Sequence, residues 1–437
     1  MGKRSGVAAV SRLGLGARGP ELSDAGSDPV GWAKAQIVAL PQVPEEFDGL
    51  PTTAEVVAAG AAARDGGEDA KQAYRKAARE QYSLEAAARC LVRVTSERPV
   101  YERLVAFFVN HFAVSVQKRP VVGLAGAFER EAIRPRVTGR FVDLLVAVAR
   151  HPAMLLYLDQ AQSAGPHSKV GEKRDKGLNE NLAREILELH TLGVDGGYAQ
   201  QDVEAFACAL TGWSVGVDAG TDGFQYRANR HEPGAVTILG KRYSQDGEAQ
   251  ALAVLNDLAT HPSTARFVCT KVARHFVADE PPKALIDAMV HTFVGSGGHL
   301  QHVLVTLFEH EACWDATSRK LRTPDDLVTA AARALDVVDG KVLAQSMTRL
   351  GQTVWAPNSP AGWPDDTASW MGPGALLDRV EWAEDVGDRV GDDVRASAVV
   401  LRSLGERASE KTIAAVSAAS DRRGVALLIA SPDFQWR

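Results

Sequence analysis

Apolar side chains recur about every 3.6 residues along most of the chain, a spacing that places them on one face of an α-helix. Alanine, the best helix former, fills much of this pattern. The spacing predicts helices over residues 69–95, 100–118, 136–150, 179–192, 200–213, 248–260, 264–278, 283–294, 299–312, 323–337 and 373–387.

Strand patterns are confined to residues 223–244. Two short runs there, FQYR and VTILGKRY, alternate apolar and polar side chains, and the loop between them ends in Pro233-Gly234. Alternation on both sides of a turn is typical of a β-hairpin. We therefore predict a mainly α protein, with one large multi-helix domain over residues 1–437 and a single hairpin inserted between helices.

Two segments interrupt the helical pattern. Residues 41–70 are polar and contain ARDGGEDA, and we interpret them as a linker or loop. Residues 353–373 hold four prolines and three tryptophans, which predicts a long ordered loop. Because Trp355, Trp363 and Trp370 are too large to remain in water, we expect this loop to pack on the body of the protein.

The composition excludes several classes of protein. The 437 residues are 45% apolar and 24% charged, which is typical of a soluble globular protein, and a net charge of −6 gives no reason to expect nucleic-acid binding. No apolar run approaches about 18 residues, so we predict no membrane insertion. The N-terminus has early positive charges but no apolar core of signal-peptide length, so the sequence alone favours the cytoplasm.

Motifs for known cofactors are missing as well. The four cysteines form no Cys-x-x-Cys pair, and the chain has neither a P-loop nor a Gly-x-Ser-x-Gly elbow. Cys208 and Cys269 lie in apolar helical patterns and are expected to be buried free thiols. The cofactor, if there is one, is not predicted.

Residues 178–192, LNENLAREILELHTL, combine many leucines with charged side chains. On a helix, Leu182, Ile186 and Leu189 form the main apolar stripe, and other leucines lie on the remaining sides. A helix that is apolar nearly all round is typically buried. Buried carboxylates cost several kcal/mol unless they are paired, so the polar residues of this helix require partners.

Asn181, Glu185 and Glu188 fall on one line of this helix. Two interpretations stay open: a structural ion-pair network, or a pocket in which Glu185 or Glu188 acts as acid or base. In the second interpretation Asn181, Arg184 and His190 complete the catalytic set. Glu188 and His190 are two residues apart and lie on different faces, so we predict no metal site on this helix.

Four residues elsewhere are candidates for binding a polar or anionic substrate. His111 lies among aromatic residues in FFVNHFAVS, and Arg130 and Arg134 are one turn apart in FEREAIRPR. His231 lies on the predicted hairpin loop. The scattered histidines also leave a metal or haem protein as a third interpretation.

Several blocks resemble the bacterial family catalogued as domain of unknown function 1800 (DUF1800), over nearly the whole chain. NENLAREILELHTLGVDGGY (179–198), followed by ALTGW (209–213), is similar to the family signature. Further similar blocks are SRLGLGARGPEL (11–22), FEREAIRP (128–135), SPAGWPD (359–365) and LLIASPDFQWR (427–437).

This resemblance implies a mainly helical single domain and no assigned activity. Family members are often exported, and are often encoded beside a second family that resembles sulfatases. The resemblance therefore implies an alternative to an enzyme: a non-catalytic binding or export-partner protein that acts with a sulfatase-like neighbour.

One position departs from the similar segment of the family. Ala199 stands where Thr is usual, and Thr-x-x-Asp would form a capping box with Asp202. Alanine has no cap oxygen, so we expect a loss of about 1 kcal/mol at this helix start.

Overall fold

The computed structural model describes residues 5–38, 43–174, 177–217, 222–315 and 317–437. The helices of its first part are α1 (Gly6–Ala8), α2 (Glu21–Ser27), α3 (Pro29–Val38), α4 (Thr53–Asp65), α5 (Gly67–Thr95), α6 (Pro99–His111), α7 (Ala125–Ala127), α8 (Phe141–Arg150), α9 (Pro152–Tyr157) and α10 (Gly171–Arg174). Those of the middle part are α11 (Asn181–Glu185), α12 (Gln200–Leu210), α13 (Glu248–Thr260), α14 (Pro262–Phe276), α15 (Lys283–Gly295) and α16 (Leu300–Glu309). The remaining helices are α17 (Pro324–Leu335), α18 (Gly340–Arg349), α19 (Pro373–Arg389), α20 (Ala396–Leu404), α21 (Glu410–Ser417), α22 (Asp421–Ala430) and α23 (Pro432–Gln435).

The predicted mainly α fold is confirmed, although helix ends differ by several residues. The helix predicted over 100–118 ends at His111, and the one predicted over 200–213 ends at Leu210. In the second case Gly212 follows with a φ of 90°. Glycine adopts this left-handed conformation readily, and an α-helix cannot continue through it.

The interpretation of residues 41–70 as a linker or loop is wrong over α4. Thr52 caps this helix through its hydroxyl, and its own backbone N–H donates to Glu55 Oε2 at 2.8 Å. This reciprocal capping box, followed by an alanine-rich run, favours a helix despite the polar composition. Residues 41 and 42 lie outside the described residues.

The single hairpin predicted over 223–244 is wrong in its pairing. Strand β2 (Phe224–Tyr226) pairs antiparallel with β1 (Trp213–Val215), which precedes it in the chain. Strands β3 (Val236–Ile238) and β4 (Lys241–Tyr243) pair with each other across Leu239 and Gly240, whose φ angles of 50° and 75° fit a type I′ turn. The residues that the structure describes therefore form two small hairpins, because VTILGKRY folds back on itself.

In the described parts of the chain, three π-helical segments interrupt the α-helical geometry: Ala9–Leu13, Phe128–Ile133 and Ile186–Thr191. A π turn closes hydrogen bonds between residues five apart and is rare, and such turns are frequent at functional sites. The first follows α1, the second follows α7 and the third follows α11. Each π-helical segment therefore changes the direction in which the side chains that follow it point, relative to a continuous α-helix.

Short 3-10 turns connect many of these elements. They are Glu45–Phe47, Arg119–Val121, Arg134–Arg136, Gln160–Gln162, Ala228–Arg230, Glu311–Trp314, Ala368–Trp370 and Gly405–Arg407.

One contiguous cluster of buried apolar side chains runs through the described residues, from Ala9 near the N-terminus to Phe434 near the C-terminus. Helix α5 packs against α4, α17 and α18, and α14 packs against α15. None of the described helices combines the length and the apolar character needed to cross a membrane.

The loop over residues 353–373 packs against the helices, as expected from its tryptophans. Trp355 and Trp370 are buried, and Trp363 is half-buried. The side-chain amide of Asn110, on α6, donates to Trp363 O at 2.9 Å, and Trp363 N donates to Asn110 Oδ1 at 2.7 Å. This pair of hydrogen bonds fixes the loop over α6 and places Asp365 against α14.

Candidate functional site

The last turn of α14 brings an imidazole against a carboxylate of the tryptophan-rich loop. His275 Nδ1 lies 2.9 Å from Asp365 Oδ2. His275 Nε2 is buried and has no hydrogen-bond partner among the described residues. The ring packs edge-on or tilted against Phe107 and Phe276, with ring centroids 5.3 Å away in both cases. An aspartate that orients one imidazole nitrogen and leaves the other free is the arrangement of a general base.

Lys320 fixes the same carboxylate from its other side. Lys320 Nζ lies 3.1 Å from Asp365 Oδ1, and it donates to the backbone oxygen of Asp365 at 2.7 Å. The same ammonium group lies 3.0 Å from Asp279 Oδ1. Asp365 is therefore held at both oxygens, so the orientation that it imposes on His275 is rigid.

The electrostatics keep this pair in the protonation states that a base requires. Burial lowers the pKa of His275, and Asp365 opposes this only in part, so the imidazole is neutral at pH 7. Burial alone would raise the pKa of Asp365, but His275 and Lys320 hold that pKa well below its usual range. Lys271, one turn before His275, is also perturbed, because burial lowers its pKa to about 8.

A narrow cleft of about 70 Å³ reaches this pair. Three arginines and three aspartates line it together with apolar side chains, and the charged members are Arg89, Arg93, Arg103, Asp325, Asp326 and Asp365. Since liquid water occupies about 30 Å³ per molecule, the cleft has room for roughly two waters or a small polar group. Only 14% of the His275 side-chain surface is exposed, and His275 is one of the residues that line this cleft.

The arginines of the cleft are anchored by buried carboxylates. Asp326 lies 3.1 Å from Arg103 Nη1 and 2.9 Å from Arg437 Nε. Asp325 lies 3.3 Å from Arg89 Nη2 and 3.2 Å from Arg93 Nε. The lining charges are therefore matched, which makes the cleft polar rather than strongly cationic.

The ion pairs continue behind the cleft and include two residues that we predicted to bind substrate. Arg134 contacts Glu102 Oε1 at 2.9 Å and Glu129 Oε1 at 3.1 Å, and Arg130 contacts Glu85 Oε2 at 2.5 Å. These guanidinium groups already have buried or partly buried carboxylate partners. Their placement matches a structural network, in which removing one charge leaves its partner buried and unpaired.

The charged helix from the signature is only partly buried. Asn181 is exposed, while Glu185 and Glu188 are half-buried, so the burial predicted for this line of residues is not found. Arg184 Nη2 pairs with Glu180 Oε2 at 2.8 Å, as the i,i+4 spacing indicates. Burial and the neighbouring Glu188 raise the pKa of Glu185.

Two of the predicted residues, His111 and His190, are buried next to each other and close to the His275 pair. His111 Nε2 donates to the backbone oxygen of His190 at 3.1 Å. The Phe107 ring contacts both His111 and His275, with centroids 6.0 and 5.3 Å away. Burial lowers the pKa of His190 to about 3 and the pKa of His111 well below its usual value, and Lys271 adds to both shifts.

His231, the remaining predicted residue, lies apart from this cluster. Its Nδ1 donates to Thr211 O at 3.0 Å, beside the first hairpin. Within the described part of the chain, no hydrogen bond or ion pair joins Glu185 or Glu188 to Arg130, Arg134, His111 or His231. Of the two predicted sets, the structure brings together His190 and His111, while the carboxylates of Glu185 and Glu188 have no such contact with the substrate-binding set.

Metal ligands do not cluster in the described segments. Among those residues, no group of three histidine, cysteine, aspartate or glutamate side chains is arranged to hold an ion. Cys90, Cys208, Cys269 and Cys313 are free thiols, and burial raises the pKa of Cys269 to about 12.

No sequence pattern predicts a functional role for His275 or Asp365. The one available signal was the block SPAGWPD, whose last residue is Asp365. His275 lies near the end of a helix that the apolar period predicts, and 90 residues separate it from its partner. No short sequence motif could link two residues that are so far apart in the chain.

Comparison with known proteins agrees with the resemblance. A family model described as "Protein of unknown function (DUF1800)" matches residues 8–436, nearly the whole chain. Searches with this chain found no matching curated protein and no matching solved structure.

Proposed function

For this chain, which belongs to the DUF1800 family of unknown function, we propose an enzyme that performs acid–base chemistry on a polar group, with His275 as the catalytic base. The observation that carries this proposal is the free, buried Nε2 of an imidazole whose Nδ1 is held by Asp365 at 2.9 Å. The neutral imidazole is the form that accepts a proton.

In the proposed mechanism, His275 Nε2 takes a proton from a hydroxyl group or a water molecule in the cleft. The oxygen then attacks the substrate, and the imidazolium returns the proton to the leaving group. Asp365 is a positioning residue: it selects the tautomer with the proton on Nδ1 and stabilises the imidazolium. The paired arginines and aspartates of the cleft favour a polar substrate group over an apolar one.

A panel of chromogenic esters, amides, glycosides and phosphate and sulfate esters tests this proposal. We expect the wild-type protein to hydrolyse one class, and His275→Gln to lose about two orders of magnitude in kcat or more. His302→Gln, which replaces an exposed imidazole, is the matched control and keeps full activity. A folded His275→Gln variant with wild-type kcat would overturn the proposal.

The roles of Glu185 and Glu188 as acid or base stay a prediction. Both carboxylates are half-buried, and burial together with the neighbouring Glu188 raises the pKa of Glu185, a shift that favours the protonated form of an acid. The variants Glu185→Gln and Glu188→Gln, assayed with the substrate found above, decide between this role and a scaffold. Full activity in both folded variants would remove these residues from the mechanism.

The alternative is a non-catalytic binding or export-partner protein, which rests on the family resemblance and its sulfatase-like neighbour. The candidate interface is the loop over 353–373, where Trp363 is the half-exposed tryptophan and Trp355 and Trp370 are buried. Co-purification with the neighbouring protein tests it, and absence of binding at micromolar concentration would count against it.

A metal or haem site is supported by one observation. His111 Nδ1 and His190 Nε2 are both buried and without hydrogen-bond partners among the described residues. The metal content and visible spectrum of the natively purified protein test this interpretation. If a metal or haem is bound, its loss in the His111→Gln variant would assign the site to His111.

A further inference from the structure

Helices α4 and α5 enclose an open groove of about 710 Å³ on a different part of the surface. Six arginines and one lysine line it, and no carboxylate of the described residues does so. The chain as a whole carries a net charge of −6, so this concentration of positive charge is local. The groove has the volume of a typical small-molecule site.

The cations of α5 are arranged along one line of the helix. Lys71, Arg75 and Arg79 are four residues apart, which places like charges next to each other and destabilises the helix by repulsion. Arg75 has a partner, Glu68, at 3.2 Å. Lys71 and Arg79 form no ion pair with any described residue, so an anion bound beside them would relieve the repulsion.

The other sides of the groove add further cations. Arg64 comes from α4 and Arg119 from the turn that precedes α7, and neither has an ion-pair partner within the described ranges. Arg227 is held by the backbone oxygen of Val215 at 3.2 Å. Positive charge therefore surrounds the groove instead of lying on one solvated helix face.

The floor of the groove is apolar. Val56 and Val57 of α4, Leu124, Leu156 and Val215 form it. A small inorganic anion would leave these side chains in water, while an uncharged apolar ligand would cover the cations and make no favourable contact with them. A ligand that satisfies both surfaces has an apolar body and an anionic head.

We propose that this groove binds a single-chain anionic amphiphile, with a hydrocarbon chain on the valine and leucine floor and a phosphate or carboxylate head between Arg79 and Arg119. The groove shares no lining residue with the cleft at His275. The proposal therefore goes beyond the proposed function, and either can fail without the other.

Calorimetric titration of the full chain tests the proposal, with dodecyl phosphate and dodecanoate below their micelle concentrations as probes. We expect at least one of them to bind at least about tenfold more tightly than the short-chain anion with the same head, methyl phosphate or acetate. Dodecyl maltoside, which has the chain without the charge, should bind more weakly than that probe. High salt should weaken binding of the anionic probe, because it screens the exposed cations.

Matched variants locate the binding. Arg79→Gln/Arg119→Gln removes two groove charges and should weaken binding of the tighter probe by about tenfold. Arg242→Gln/Lys411→Gln removes two exposed charges outside the groove and should leave binding unchanged. Equal melting temperatures of the two double variants show that the fold is intact.

Three results would overturn the proposal. The first is no binding of either dodecyl probe, and the second is unchanged affinity in Arg79→Gln/Arg119→Gln. The third is equal affinity for the short-chain and long-chain anions, which would reduce the groove to a simple anion site.

Discussion

Asp365 Oδ2 lies 2.9 Å from His275 Nδ1, and the other oxygen of the same carboxylate lies 3.1 Å from Lys320 Nζ. One carboxylate therefore joins a buried ammonium group to an imidazole that faces a cleft. His275 and then Lys320 lower the pKa of Asp365, and the resulting carboxylate fixes the tautomer of the histidine.

Replacing Asp365 with asparagine should lower the pKa of His275 further, because the carboxylate is the main group that stabilises the imidazolium against burial. Titration of the His275 Cε1–H signal by NMR measures this. Asp366→Asn is the control: its carboxylate accepts a hydrogen bond from Ser369 N at 2.9 Å and does not contact the imidazole. An unchanged or raised pKa of His275 in Asp365→Asn would contradict this account.

Stability should fall as the pH drops below about 6.5, because His190 is buried and its pKa is lowered to about 3. In that window the unfolded chain binds a proton that the folded protein excludes, so protonation favours unfolding by about 1.4 kcal/mol per pH unit for this group. We expect the free energy of unfolding of His190→Gln, measured in urea between pH 7 and pH 5, to depend less on pH by about that slope.

The exposed His302 provides the control for this slope. His302→Gln should retain the full pH dependence of the wild-type protein. The same slope in His190→Gln and in wild type would mean that folding does not lower the pKa of His190. The comparison of slopes stays valid even if His190→Gln is less stable at every pH.

Glu129→Gln should lower the free energy of unfolding by about 3–5 kcal/mol, because it leaves two buried arginines short of a charge. Glu129 contacts Arg89 at 3.0 Å, Arg134 at 3.1 Å and Trp355 Nε1 at 3.1 Å. Urea unfolding measures the loss. Glu384→Gln, which breaks the exposed pair with Arg423, should change stability by less than about 1 kcal/mol. Similar losses in both variants would refute the role of burial.

Ala199→Thr should raise the free energy of unfolding by about 1 kcal/mol. Helix α12 begins after Ala199, whose backbone N–H already donates to Asp202 Oδ2 at 2.8 Å, so half of a capping box is present. A threonine hydroxyl would supply the missing acceptor. Thermal unfolding measures the gain, and Ala199→Val, which adds the branched carbon without the oxygen, should show none of it.

The sequence predicts the fold class well and the faces of the signature helix poorly. The burial of Leu187 fits a helix that is apolar nearly all round, but Leu189, which the α-helical period places in the main apolar stripe, is only half-buried. The cause is the π-helical segment Ile186–Thr191, in which hydrogen bonds join residues five apart and rotate every later side chain. No pattern based on 3.6 residues per turn reveals such a shift.

The sequence predicts candidate residues where unusual charge is dense, and this criterion selects neither His275 nor Asp365. Arg130, Arg134, His111 and His190 are buried or partly buried, with polar contacts to other parts of the chain. His275 has one charged residue directly beside it in the sequence, Arg274, and its partner Asp365 lies in a separate loop. A pair of this kind is created by tertiary packing alone.

Asp326 forms ion pairs with two arginines that are far apart in the sequence, Arg103 of α6 and Arg437. During synthesis on the ribosome, Arg103 and Asp326 emerge long before Arg437, so the core of charges stays incomplete until translation reaches residue 437. Because such long-range contacts form late, ribosome-bound chains that lack this residue would hold a partly neutralised aspartate inside an unfinished fold. Assembly of these charges around the cleft therefore depends on residue 437 as well as on the early helices.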